Sequence, residues 1–195
     1  MHDPSIPNQN VTDELLMHAV QGGDFDALGE LFERHHRPVF HFLSRTTGDP
    51  GVAEDLVQEV FVRILKYRHT YEVDSRFDTW LFRIARNART DHFRRRSPAP
   101  APEADALEVP SQQPGPAQQL EQQVDVGQLE RALRQLPDEP RDLLVLARYH
   151  GMPYDRIAET LGIETGAVKV RVHRAMKQLR TLFFRLEDAP CAVKK

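Results

Sequence analysis

Apolar residues recur at helical spacing in two long stretches of the chain, and both stretches read as all-helical. In the first, Thr12 and Asp13 are placed to cap a helix, LLMHAVQ, that stops at Gly22-Gly23. Asp24 caps a second, FDALGELFERHHRPVFHFLS, with Leu28, Leu31, Phe32, Val39, Phe40 and Leu43 as its apolar positions and Pro38 interrupting it. Gly48-Asp49-Pro50 is a stop followed by a start, Asp49 serving as cap and Pro50 as the first helical residue. A third helix then sets Ala53, Leu56, Val57, Val60, Phe61 and Ile64 on one face and leaves Asp55, Gln58, Glu59, Val62 and Arg63 outside it. The fourth opens near Asp74-Ser75 and runs to about Arg95, with Phe77, Leu81, Ile84, Ala85, Ala88 and finally Phe93 as its apolar set.

The second stretch predicts four shorter helices. Residues 126–136 carry Val126, Leu129 and Leu133, and residues 140–149 carry Leu143, Leu144, Leu146 and Ala147, ending at Gly151. A short helix over 154–161 is broken by Gly162, and a longer one starts around Thr165 with Val168, Val172, Ala175, Leu179 and Leu182 facing inward. Two helices joined by a tight turn, with Gly at its first position and an apolar Ile163 inside it, form a helix-turn-helix pattern. The second of them exposes Lys169, Arg171, His173, Arg174, Lys177 and Arg180 on the faces its apolar stripe leaves free.

Between the stretches, residues 97–119 read SPAPAPEADALEVPSQQPGPAQQ, with six prolines and only Leu107 and Val109 as sizeable aliphatics. Such a segment buries too little surface to offset its ordering entropy and is expected to be a flexible linker. The expected organisation is therefore one helical domain over 12–96, an acidic proline-rich linker over 97–123, and a second helical domain over 124–187. Charge follows the same division. The net charge of -3 conceals -8 over residues 1–60, +6 over 61–96, -6 over 97–140 and +5 over 141–185. Two basic blocks set among acidic ones point to two polyanion-binding surfaces.

Composition removes several other classes. No apolar run approaches the roughly 20 residues of a membrane-spanning helix, and the start of the chain lacks the features of a signal peptide. The expectation is a cytoplasmic protein without membrane insertion. The single cysteine, Cys191, excludes an internal disulfide and a multi-cysteine zinc site. His35, His36 and His41 have no acidic companions at metal-ligand spacing, and no phosphate loop or nucleophile motif is present. No catalytic residue, metal site or cofactor is expected.

Five segments together resemble the bacterial sigma factors of the extracytoplasmic-function (ECF) group, within the primary sigma family. They are AEDLVQEVFVRI (53–64), RFDTWLFRIARNARTDHFRRR (76–96), QLPDEPRDLLVL (135–146), YDRIAETLGI (154–163) and GAVKVRVHRAMKQLR (166–180). The resemblance implies a promoter-specific initiation factor with two DNA-reading domains, sigma domain 2 for the -10 element and sigma domain 4 for the -35 element. Both would be mounted on RNA polymerase core enzyme, and an anti-sigma factor is the usual regulator. On the matching positions it implies that Asp55, Gln58 and Glu59 grip the clamp helices of the beta-prime subunit. Arg76, Trp80, Arg83, Arg86 and Asn87 fall on the -10 reader, beside a polar loop over 68–76. Lys169, Val170, His173 and Arg174 face the major groove at the -35 element, with Arg171 toward phosphate.

The chain departs from the family pattern in three places. Arg83 and Ile84 stand where primary sigma factors carry two tryptophans, so fewer stacking platforms imply weaker intrinsic melting. Trp80 and Phe77 are assigned mainly to the core, and the resemblance implies a second role at DNA for Trp80. Glu164 and Val170 stand where serine is frequent, which shifts the N-cap toward Thr165 and offers a methyl contact in place of a hydroxyl. A stand-alone helix-turn-helix regulator is the competing reading, but it gives no reason for the AEDLVQEVF surface or the Arg/Asn-rich fourth helix.

Overall fold

The structure, a computed structural model, describes residues 11–72, 74–96 and 126–187. The linker expectation and Cys191 fall outside these residues. The described residues form eight α-helices: α1 Asp13–Gln21, α2 Phe25–Thr47, α3 Pro50–Tyr67, α4 Phe77–Arg96, α5 Val126–Gln135, α6 Asp138–Leu144, α7 Tyr154–Leu161 and α8 Thr165–Glu187. A 3-10 turn, Arg68–Thr70, follows α3, and α6 continues into a π-helical turn, Val145–Tyr149.

Local chemistry sets most of the starts. The Thr12 hydroxyl accepts from the Leu15 amide at 3.3 Å, Asp24 accepts from Asp26 and Ala27, and Asp49 accepts from Gly51 and Val52 ahead of a proline at the first turn. The fourth helix begins at Phe77, two to three residues later than the sequence suggests. Its entry is fixed from elsewhere: the Phe77 amide donates to the Glu14 carboxylate of α1 at 3.3 Å, so a distant side chain does the capping. Pro38 does not interrupt α2, which is continuous from Phe25 to Thr47.

The four N-terminal helices close around Met17, Leu31, Val39, Leu43, Val60, Ile64, Phe77 and Leu81, all buried. The six expected core residues of α3 are all buried. In the second half α8 is the spine, packed by α5, α6 and α7 around Leu133, Leu143, Leu144, Ile157, Val168 and Val172. Val126 and Phe93, expected inside, lie at helix ends with 67% and 44% of their surface exposed. Phe32, at 36% exposed, stacks on His36 and meets Phe61 edge-on at the rim of the core.

The two helical groups pack on one another through α4 against α7, with α2 against α5 and α6. Phe42 of α2 and Phe82 of α4, fully and nearly fully buried, take the His150 ring edge-on with centroids 6.3 and 4.9 Å away. The Arg45 guanidinium lies 4.3 Å from the Tyr149 ring centroid. Arg156 pairs with Asp78 at 2.5 Å, and Arg141 donates to the Thr46 carbonyl at 2.7 Å. Gly48, a left-handed cap with φ of 75°, lies under the Arg134 side chain, and a Cβ there would clash with the Arg134 Cδ. Deepest in the contact, Asp142 of α6 is fully buried against Arg89 of α4, which is 1% exposed.

Candidate nucleic-acid interface

The helix-turn-helix is built by a backbone reversal that glycine makes possible. Gly162 adopts φ 68°, ψ 37°; its amide donates to the Glu159 carbonyl at 3.3 Å and the Ile163 amide to the Ala158 carbonyl at 2.9 Å. This Schellman closure ends α7 and tucks Ile163, half-buried, against the core before α8 begins at Thr165. Along α8, Val168, Val172 and Ala175 are buried, so the helix presents Lys169, Val170, His173 and Arg174 to solvent on its opposite side. Val170 is 50% exposed, a methyl-bearing surface among cations. Arg171 is half-buried and ion-paired to Glu139 of α6, which ties α8 to its scaffold.

In the first group, the loop between α3 and α4 is held from beneath. Gln21 donates to the Arg68 and Tyr71 carbonyls at 2.9 and 2.8 Å, and the Tyr71 hydroxyl donates to the Ser75 carbonyl at 2.6 Å. Burial, with nearby carboxylates adding to it, pushes the Tyr71 phenol up to about 12, so it acts only as a neutral anchor. The anchored loop leaves His69, Thr70, Glu72, Asp74 and Arg76 exposed at the head of α4, while Arg83 and Asn87 are exposed farther along it. Trp80 is not on that surface. It is 4% exposed, with its ring 5.3 Å from Tyr71 and 6.4 Å from Phe77, and is withdrawn from the DNA-facing set because these two rings pack against it in the core, where the sequence mainly assigns it. Arg86 is half-buried, its Nε 3.0 Å from the Asp142 carboxylate.

Beside Asn87 the surface opens into a cavity of about 310 Å³ between α3 and α4, lined by Arg63, Tyr67, Ile84, Asn87, Thr90 and Asp91. Arg63 spans its floor, bonding Glu59 at 2.7 Å and Asp91 at 2.8 Å. Glu59 is therefore partly engaged, while Asp55 and Gln58 are exposed on α3, two turns and one turn before Val62, which is 61% exposed. Acidic, amide and apolar groups thus share one helical stripe. The histidines make ordinary contacts: His35 meets Asp13 at 2.7 Å and His36 the Phe32 carbonyl at 2.9 Å. Among the described residues no His/Cys/Asp/Glu cluster could hold a metal, and no helix is long and apolar enough to cross a membrane.

Sequence reasoning missed Arg89, Asp142 and Phe82. Each lies on an arc of its helix that a single-domain pattern leaves for solvent, and each is in contact with the other helical group, Phe82 through His150 as well as with Phe42 of its own group.

Fold and surface together define an all-helical, two-part DNA-binding protein whose second part is a helix-turn-helix. Residues 31–98 match the family model of sigma-70 region 2, and residues 127–179 match sigma-70 region 4. The chain is 34% identical to the RNA polymerase sigma factor CarQ of Myxococcus xanthus, over 88% of this chain and 97% of that one. It is 35% identical to the ECF RNA polymerase sigma factor SigE of Mycolicibacterium smegmatis, covering 80% of this chain and spanning 65% of that relative's length. Among solved structures it resembles CnrH in complex with the cytosolic domain of CnrY, with a TM-score of 0.66 and 25% identity, covering 89% of this chain and 97% of that one. A second likeness is the sigma factor RpoE bound to the anti-sigma factor NepR from Bartonella quintana, at 0.61 and 26%, covering 80% and 96% of the two chains. The chain belongs to the ECF RNA polymerase sigma factors, and its class of work is promoter-specific initiation of transcription.

Proposed function

We propose that the two helical groups divide promoter recognition between them, as sigma domain 2 over 12–96 and sigma domain 4 over 124–187. The observation that carries the reading is the solvent-facing row Lys169, Val170, His173 and Arg174 on the second helix of the helix-turn-helix, backed by buried Val168, Val172 and Ala175. A row of that kind fits the major groove of the -35 element, cations toward guanine or phosphate and Val170 toward a thymine methyl. Arg171 adds a phosphate contact from its place beside Glu139. At the -10 element Arg76, Arg83 and Arg86 hold the strand, and Asn87 reads a base extruded into the cavity at its side. Asp55, Gln58 and Glu59, with Val62, form the stripe that docks on the clamp helices of polymerase.

The chain contributes binding and no catalysis of its own, works in the cytoplasm, and is held inactive by an anti-sigma factor. That last step is supported by the anti-sigma factor named in the RpoE structure. In vitro transcription with purified core polymerase tests the whole: specific start sites are expected from core plus this chain, with none from core alone. Their mapping gives both promoter elements. Transcription that requires another sigma factor would instead identify a stand-alone regulator.

A further inference from the structure

The strongest feature outside the solvent-facing surfaces is the carboxylate at the junction. Asp142 has no exposed surface, yet it comes from one helical group and its partners from the other. The Arg89 guanidinium takes it in a fork, with Nη1 on Oδ1 and Nη2 on Oδ2, the latter at 3.1 Å, and the Arg86 Nε reaches Oδ2 at 3.0 Å. Two cations converge on one anion, with a second carboxylate, Asp138, 3.9 Å from Arg89 and 70% exposed. A fork on two oxygens supported by a neighbouring guanidinium is also how arginines hold a phosphodiester.

The arginines belong to α4, one and two turns beyond Arg83 and flanking Asn87 in sequence. With the second helical group removed, Arg86 and Arg89 extend the cationic surface of the -10 reader. With it in place, their charge is spent on Asp142. The rest of the contact joins an aromatic cluster, Phe42 and Phe82 on the His150 ring, to the Arg156–Asp78 pair and the Arg141 bond to the Thr46 carbonyl, and it leaves the buried His150 Nε2 and Arg156 Nε without a hydrogen-bond partner in the protein, a polar cost of closure.

We propose that Asp142 is an internal latch that occupies the Arg86/Arg89 pair in place of a DNA phosphate. The pair is then a phosphate-binding site of the promoter strand, and strand binding and domain closure exclude one another. The proposal rests on the reading of α4 as the -10 reader, and it adds Arg89, which no sequence pattern selects, to the residues that grip the strand.

The test uses the full chain and a single-stranded oligo(dT) probe, with affinity followed by anisotropy across a salt series. Asp142→Asn keeps the shape and removes the charge; it is expected to bind at least tenfold more tightly at low salt. Its salt dependence should steepen by about 1.4 in log-log slope, the counterion release of two added phosphate contacts on a single strand. Neutralising the pair by Arg86→Gln and Arg89→Gln in the Asp142→Asn chain should abolish the gain. Unchanged affinity in Asp142→Asn, or a gain that survives loss of both arginines, overturns the latch.

A second measurement does not depend on substitution at the junction. Dyes on Asp26→Cys and Gln135→Cys, both exposed, in a Cys191→Ser background report the separation of the two groups. Saturating oligo(dT) should lower energy transfer; transfer that stays constant at saturation also overturns the proposal. Failure here, with core-dependent initiation intact, removes the latch alone. Failure of initiation removes the -10 assignment independently of any oligo(dT) result.

Discussion

A carboxylate buried between two guanidinium groups gains little net stability, because desolvation consumes most of the attraction. Burial indeed pushes the Asp142 carboxyl upward, against the downward pull of Arg89 and Arg86. Breaking such a pair on one side is a different matter and costs about 3–5 kcal/mol, since the remaining charge is stranded. Arg89 escapes that cost if the domains part and it returns to water, so removal of Asp142 acts on closure more than on either fold. Asp13 is a contrasting residue whose effect is local. It accepts from His35 and Arg34, chiefly the former, and these bonds hold its carboxyl below the ordinary carboxylate value, thereby pinning α1 to α2. A lowered value means the stabilisation is complete above about pH 4 and is lost as pH falls through the folded-state value. Asp13→Asn should lower stability by about 1 kcal/mol at neutral pH, a figure reduced for partial exposure, and by progressively less in acid. Thermal melts across pH check both the loss and its disappearance.

At the scale of elements, the proposed division of labour gives three helices three jobs, and each can be struck separately. Lys169→Ala or Arg174→Ala on α8 should weaken use of the -35 element, by about 1–3 kcal/mol where the contact is a bidentate one to a base. Binding to core polymerase should be unchanged. Asp55→Ala or Gln58→Ala on α3 should weaken binding to core while leaving the mapped promoter sequence unaltered. Footprinting and core-binding titrations separate the two patterns, and exchange of the phenotypes between α3 and α8 would sink the division of labour. The fourth helix is more entangled, because its buried arc is unusually wide: Thr79, Trp80, Phe82 and Arg89 are buried along with the expected Phe77, Leu81, Ile84, Ala85 and Ala88. One face, which includes Trp80 against Tyr71 and Phe77, serves its own domain, and a second, with Phe82 and Arg89, faces the other. Helical periodicity identifies the first because α1, α2 and α3 supply a continuous apolar wall. The second is half polar, so its pattern resembles a solvated surface.

For the molecule as a whole, closure carries a built-in pH dependence. His150 sits between Phe42 and Phe82, and burial, aided by Arg45 and His41 of α2, lowers its pKa from 6.5 to about 4. A lowered histidine value means the closed form prefers the neutral ring. Its stability is complete above about pH 6.5 and declines as pH falls toward 4, because opening then takes up a proton. Energy transfer between the dyes on α2 and α5 should therefore fall between pH 7.5 and 5, and His150→Gln should flatten the profile. A flat profile in the unaltered chain would show that His150 does not report on closure.

Much of this was legible from the chain itself. The caps at Thr12, Asp24 and Asp49, the break at Gly162 and the inward stripes of α3 and α8 depend on neighbours within a turn or two, so local chemistry determines them. The alternation of acidic and basic blocks likewise identifies two cationic surfaces hidden in a net charge of -3. What the tertiary structure alone decided are the long-range pairings: Glu14 capping α4, Trp80 enclosed by Tyr71 and Phe77, Arg171 tied to Glu139, and Arg89 with Asp142. The reason is physical. A charged residue in a sequence is indistinguishable from a solvated one until its counter-charge arrives, and here the counter-charge of Arg89 arrives from 53 residues away.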